Sequence, residues 1–177
     1  MHLSNFRSVK RVVDVVKIFA RVVRERPAQL VLVGDGPDRS AAEWLAHDLG
    51  IHSRVHFLGK QERVSELLAL ADLLLMPSEL ESFGLAALEA MACKVPSIAT
   101  GVGGVPELID DGVTGLLFPV GDVDAMAAAA LSLLADSSRL QAMREAGRRT
   151  AQKRFCANLV VPHYVRFYEQ VLGAAGA

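Results

Sequence analysis

The strongest constraint on this chain is an alternation of two periodicities. Short apolar runs closed by turn-forming residues take turns with longer stretches whose apolar residues recur at helical spacing. Leu30-Val31-Leu32-Val33 ends at Gly34-Asp35-Gly36. Similar runs are Val55-His56-Phe57-Leu58, Leu73-Leu74-Leu75-Met76, Val95-Pro96-Ser97-Ile98-Ala99 and Gly115-Leu116-Leu117-Phe118. Runs of this kind are strands buried on both faces, the habit of parallel sheets. Residues 2–6 are expected to lead the set as a further strand. Val9, Val12, Val13, Val16, Phe19 and Val23 follow helical spacing, with Lys10, Arg11, Asp14, Lys17, Arg21 and Arg24 towards the other side. More helices are expected over residues 39–49, 64–71, 85–93 and 123–134. Pro37 suits the start of one, and Asp122 can cap another. Residues 138–172 read as helix throughout.

Strand–helix alternation implies an α/β fold: a doubly wound, mostly parallel sheet with right-handed crossovers, followed by extra C-terminal helices. Apolar residues make up 51% of the 177, enough for the core of one domain spanning residues 1–177. A formal net charge of −1 gives no footing for a nucleic-acid partner or an anionic membrane. The apolar runs stop well short of the ~20 residues of a membrane span. Cys93 and Cys156 lack neighbours at metal-ligand spacing and read as buried, inert thiols of a reducing cytoplasm.

A doubly wound sheet binds ligands beyond the carboxyl ends of its strands. The loops after Phe6, Val33, Leu58, Met76, Ala99 and Phe118 are therefore the ones that matter. In Glu79-Leu80-Glu81-Ser82-Phe83-Gly84-Leu85-Ala86-Ala87-Leu88-Glu89, seven residues separate Glu81 from Glu89. Glu81 falls in a loop, and Glu89 inside the helix that begins near Ser82–Gly84. Free N–H groups at such a helix start, opened by a glycine, suit an anion. Glu89 leans back towards that start and can accept bonds from vicinal hydroxyls, while Glu81 can reach a sugar beyond the phosphates. The same spacing fits a helix-dipole partner and a solvated helix residue.

Arg7, Lys10 and Arg11 cluster where a helix begins, an unfavourable place for cations unless an anion joins them. Gly34-Asp35-Gly36-Pro37 is half of a dinucleotide fingerprint whose third glycine is replaced by Arg39, and it fits a tight turn equally well. Gly101-Val102-Gly103-Gly104 lets backbone come close to a ligand or forms a plain loop. Asp122-Val123-Asp124 resembles a metal-binding Asp-x-Asp, but capping explains it, and no metal is expected. The five histidines show no catalytic pairing.

These motifs, in order, resemble the C-terminal domain of glycosyltransferase family 4, a two-domain GT-B fold. The resemblance is carried by Arg7 with Lys10, Gly34-Asp35-Gly36-Pro37, Val55-His56-Phe57-Leu58-Gly59, Pro77-Ser78 followed by Glu81 through Glu89, and Gly103-Gly104 with Pro106-Glu107. It implies a retaining, metal-independent transferase for which a UDP-sugar is substrate and no cofactor is needed. By the same resemblance, Glu89 holds the donor's ribose. Glu81, Ser82 and the backbone at Phe83, Gly84 and Leu85 hold the sugar and phosphate. Arg7 and Lys10 take the diphosphate and assist its departure, with Glu81 beside them as the third catalytic residue. Gly34 and Gly36 line the donor site, and Phe57–Leu58 meets the base. The segment Ser4-Asn5-Phe6-Arg7-Ser8-Val9-Lys10-Arg11 looks more narrowly like the N-acetylglucosaminyl-malate synthases that begin bacillithiol synthesis. That implies UDP-N-acetylglucosamine as donor and L-malate as acceptor.

Family members are about twice this length, so the resemblance also implies a missing N-terminal, acceptor-binding domain and an isolated chain that transfers poorly or not at all. Val160, Val161, Tyr164, Phe167, Tyr168 and Val171 are expected to present an apolar face where that domain packs, open to pairing with a second copy. Three rival readings stay open: an NAD-type oxidoreductase domain, a non-catalytic binding module, and a UDP-N-acetylglucosamine epimerase.

Overall fold

All six expected strands form in the computed structural model, which describes residues 1–175. They are β1 (His2–Leu3), β2 (Leu30–Val33), β3 (Val55–Gly59), β4 (Leu74–Met76), β5 (Ser97–Thr100) and β6 (Gly115–Phe118). Two parallel triplets result, ordered β1-β2-β3 and β4-β5-β6. The triplets meet between β1 and β4, where the Leu75 N–H donates to the Met1 carbonyl at 2.8 Å. Read across the molecule, the order is β3-β2-β1-β4-β5-β6. The winding reverses at the β1/β4 junction, and a doubly wound sheet places its ligand crevice beyond such a reversal.

Among the described residues, eight helices cover the strands: α1 (Val12–Glu25), α2 (Arg39–Asp48), α3 (Val64–Leu68), α4 (Leu85–Ala92), α5 (Val105–Leu108), α6 (Val123–Ala135), α7 (Ser137–Phe155) and α8 (Ala157–Ala175). Alternate strand residues serve opposite faces. Leu75, Ile98 and Leu116 join Val15, Phe19 and Met126 in one core under α1 and α6. Met76 and Ala99 join Ala87, Met91 and Leu108 in another under α4 and α5. Burial on both faces is why the strands read as continuous apolar runs.

The chain departs from expectation at several boundaries. Helix α1 begins at Val12, because Ser8–Lys10 forms a 3-10 turn and Arg11 is left-handed at φ 50°. Pro37 sits outside α2, in a turn closed by the Arg39 N–H on the Gly36 carbonyl (3.1 Å), where its fixed φ favours the turn. β5 starts after Pro96, which has no N–H for a ladder. The C-terminal helical run breaks at Cys156, an extended residue between α7 and α8. Helix α5, beside the glycine-rich turn, was not expected from the sequence; it buries Val105 and Leu108 and exposes Pro106 and Glu107. Cys156 is exposed rather than buried, and Cys93 is half-buried with its thiol pushed up by burial.

Asp122 caps α6, accepting from the Ala125 N–H at 3.1 Å, and Asp124 pairs with Arg21. On α8, Val161, Tyr164, Phe167, Tyr168 and Val171 are exposed. No helix among the described residues is long and apolar enough to cross a membrane.

Candidate functional site

Two loops meet beyond the β1/β4 junction. The first follows β1 and carries the cations. Its backbone is left-handed at Phe6 (φ 41°) and Arg11 (φ 50°), an arrangement costing about 1 kcal/mol or more each. Burial of the whole Phe6 side chain offsets the first. The loop rests on the turn after β2. A Cβ on Gly34 would lie 1.7 Å from the Ser4 carbonyl oxygen, and one on Gly36 would lie 2.1 Å from that of Asn5. The void left by these two glycines is therefore filled by the backbone leading to Arg7. The Asp38 N–H also donates to the Phe6 carbonyl at 3.0 Å.

The basic cluster divides into three roles. Arg11 bonds Asp14 through Nε (2.6 Å) and lies 3.8 Å from Glu79, so it is engaged by the protein. Asp14, buried in the first turn of α1, supplies the negative charge that the helix start needs. Lys10 pairs with Glu81 at 2.7 Å. Arg7 is exposed and makes no side-chain hydrogen bond or ion pair among the described residues.

The second loop follows β4. Ser78 is fully buried and donates to Glu81 Oε1 at 2.8 Å, and its carbonyl accepts from the buried Thr100 hydroxyl. The loop is backed by the turn after β5, where a Cβ on Gly103 (φ 55°) would lie 1.7 Å from the Glu81 carbonyl oxygen. The Gly104 N–H donates to the Ser82 carbonyl at 3.1 Å. Gly84, left-handed at φ 91°, is the N-cap of α4, and a Cβ there would point into the core, 3.3 Å from Val105. Bonding within α4 opens with the Ala87 N–H on the Gly84 carbonyl (2.9 Å), which leaves the earlier amides without helical acceptors. Glu89 is an exposed residue about one turn into α4.

Three contacts tie the loops together. They are the Glu79 N–H to the Val9 carbonyl (2.7 Å), Arg11 with Glu79, and Lys10 with Glu81. Arg7, Lys10, Glu81, Ser82, Phe83, Gly84 and Leu85 thus belong to one loop pair. Phe83 packs edge-on against Phe155 with ring centroids 5.5 Å apart, so its backbone rather than its ring is left for a ligand. At the end of β3, the Arg39 guanidinium lies 5.7 Å over the Phe57 ring. Leu58 turns its side chain into a cavity of about 420 Å³ that it shares with Val31, Leu67 and Leu70. That cavity reaches the amino ends of β2 and β4 and holds no other candidate residue.

Two residues given no role from sequence hold the junction. Buried His2 bonds the Leu75 carbonyl through Nδ1 and Ser4 Oγ through Nε2, each at 2.8 Å. Burial, with the nearby Met1 amino group and Lys10 adding to it, outweighs the bond to Leu75 and lowers the His2 pKa to about 4. Ser78 was visible only as half of a Pro-Ser pair. The signal that could have found both is a polar residue inside or just after an otherwise apolar strand.

Comparison with known proteins matches the sequence to a family and the fold to solved structures. The family model for glycosyl transferases group 1 matches residues 1–150. The N-acetyl-alpha-D-glucosaminyl L-malate synthase of Bacillus anthracis is 50% identical over 172 residues, 97% of this chain and 45% of that protein. Sucrose-phosphate synthase from Thermosynechococcus elongatus superposes with a TM-score of 0.90 at 31% identity, over 98% of this chain and 45% of that one. HepE of Anabaena, solved in complex with UDP and glucose, gives 0.90 at 25% identity, over 96% and 47%. The chain therefore spans about half the length of these relatives. Its fold is the Rossmann-like half of a GT-B structure with added C-terminal helices.

Proposed function

This chain belongs to the glycosyl transferases group 1 family, and on that premise we propose that it is the donor-binding part of a retaining hexosyltransferase that takes a UDP-sugar. The observation that carries the reading is the meeting of Lys10, Glu81 and the Gly84-opened start of α4 at the β1/β4 junction. A diphosphate set there faces free amides and the cations Arg7 and Lys10. As the sugar–phosphate bond breaks, negative charge grows on the leaving diphosphate, and these fixed donors stabilise it without reorganisation. Lys10 has three N–H groups and gives one to Glu81, so two remain for phosphate oxygens. Positive charge from Arg7 and Lys10 is the reason for reading the transfer as metal-independent.

Glu89, exposed on α4, is read as the ribose contact, and Glu81 as the contact to the donor sugar. Gly34 and Gly36 serve the site by shaping the Arg7 loop, and Phe57–Leu58 offers backbone to the base. The UDP in HepE and the name of the Bacillus relative support UDP-N-acetylglucosamine as donor and L-malate as acceptor of the complete enzyme. The acceptor site then belongs to an N-terminal domain outside residues 1–177, and transfer on the nucleotide's own face of the sugar awaits that domain. Thiols without a disulfide partner among the described residues agree with a reducing cytoplasm.

Thermal protection tests the reading. UDP and UDP-N-acetylglucosamine are expected to raise the unfolding midpoint of the chain, and NAD to leave it unmoved. Protection by NAD alone would hand the site to the oxidoreductase reading.

A further inference from the structure

The two oxygens of the Glu81 carboxylate are not equivalent. Oε1 receives both the Ser78 hydroxyl at 2.8 Å and the Lys10 ammonium at 2.7 Å. Oε2 makes no hydrogen bond among the described residues. The Glu81 side chain is only 11% exposed, so few other rotamers are open to it once two donors hold one oxygen.

Ser78 itself has little freedom. It is fully buried, it follows Pro77, and its carbonyl is held by the buried Thr100 hydroxyl on neighbouring β5. Gly103 presses against the Glu81 carbonyl from the far side. The hydroxyl therefore aims at Glu81 from a position set by the sheet rather than by the loop.

We infer that Ser78 is a positioning residue for donor-sugar recognition: it locks Oε1 of Glu81 beside Lys10, so that Oε2 alone is presented to a hydroxyl of the donor's sugar. This rests on the donor-site reading above. One fixed oxygen then serves two ends of the donor, since it holds the ammonium that meets the phosphates and orients the acceptor that meets the sugar. Ordering Glu81 before the donor arrives removes a conformational cost from sugar binding. A nucleotide without a sugar gains nothing from it.

Calorimetry with UDP and with UDP-N-acetylglucosamine separates these contributions. The titrations use the 177-residue chain, Ser78→Ala, Glu81→Ala and the double variant, with Ser78→Cys standing in if Ser78→Ala does not fold. Ser78→Ala is expected to keep UDP affinity within about twofold and to weaken UDP-N-acetylglucosamine about tenfold, the loss of one charge-assisted hydrogen bond. Because Ser78 acts through Glu81, Ser78→Ala should cost nothing further once Glu81 is Ala. Equal loss for both ligands, or full additivity with Glu81→Ala, overturns the inference and makes Ser78 a general loop support. Unchanged binding of both ligands in Ser78→Ala also overturns it, while leaving the donor site standing. An unsubstituted chain that binds neither ligand removes the donor site and this inference together.

Discussion

Arg7 and Glu89 are both exposed and neither has a side-chain hydrogen-bond or ion-pair partner among the described residues, so removing either disturbs no protein contact. Arg7→Ala and Glu89→Ala are expected to weaken UDP about tenfold or more in calorimetry while leaving the unfolding midpoint within its error. Full UDP affinity in Glu89→Ala ends its assignment to ribose. His2 makes the opposite prediction, a stability effect that precedes any ligand. Its folded pKa of about 4 lies below the ordinary 6.5, so the unfolded chain binds the extra proton between those values. Stability from neutral His2 is complete above about pH 6.5 and drains away as the pH falls towards 4, on the order of 3 kcal/mol in all. Chemical denaturation across that window should show the slope in the parent chain and a shallower one in His2→Asn. Identical slopes would mean that His2 is solvated in the folded protein.

At the scale of elements, the site consists of two loops, each braced by a glycine turn from the next strand over. Gly34 and Gly36 brace the Arg7 loop, and Gly103 and Gly104 brace the Glu81 loop. Gly112 supplies the control: it too is left-handed, at φ 75°, but nothing lies within 4 Å of where its Cβ would be. Gly112→Ala should cost about 1 kcal/mol of backbone strain. Gly103→Ala should cost at least about 2 kcal/mol more, because the Glu81 backbone must move, and it should lose UDP-sugar binding as well. Equal destabilisation of the two variants would remove the bracing role. The strands and most helices were legible because strand burial and helical spacing are local patterns, and the Glu81–Glu89 interval put one carboxylate in a loop and the other in α4. What the glycines touch was not legible, since approach to a ligand and approach to a neighbouring loop require the same missing side chain. Arg11 was read with Arg7 and Lys10 because its partner Asp14 becomes available only once α1 is known to start at Val12.

For the whole molecule, the decisive feature is the reversal of strand order between β1 and β4, which sets residues some seventy positions apart side by side, as Lys10 and Glu81 show. Sequence reached this only through the handedness rule for crossovers. Helix α8 also carries Tyr164, Phe167 and Tyr168 in solvent. Sedimentation velocity should therefore show concentration-dependent self-association of this chain, reduced when Phe167 and Tyr168 are both replaced by Ser. A monomer at every concentration would show that the face needs no cover. A crystal structure of the chain with UDP would show whether a diphosphate seats between the Arg7 and Glu81 loops. Phosphate oxygens are expected on the amides at Gly84 and Leu85 and on Arg7 or Lys10, with the ribose hydroxyls on Glu89. UDP bound instead in the cavity at the amino ends of β2 and β4, with Lys10 and Glu81 untouched, would contradict it.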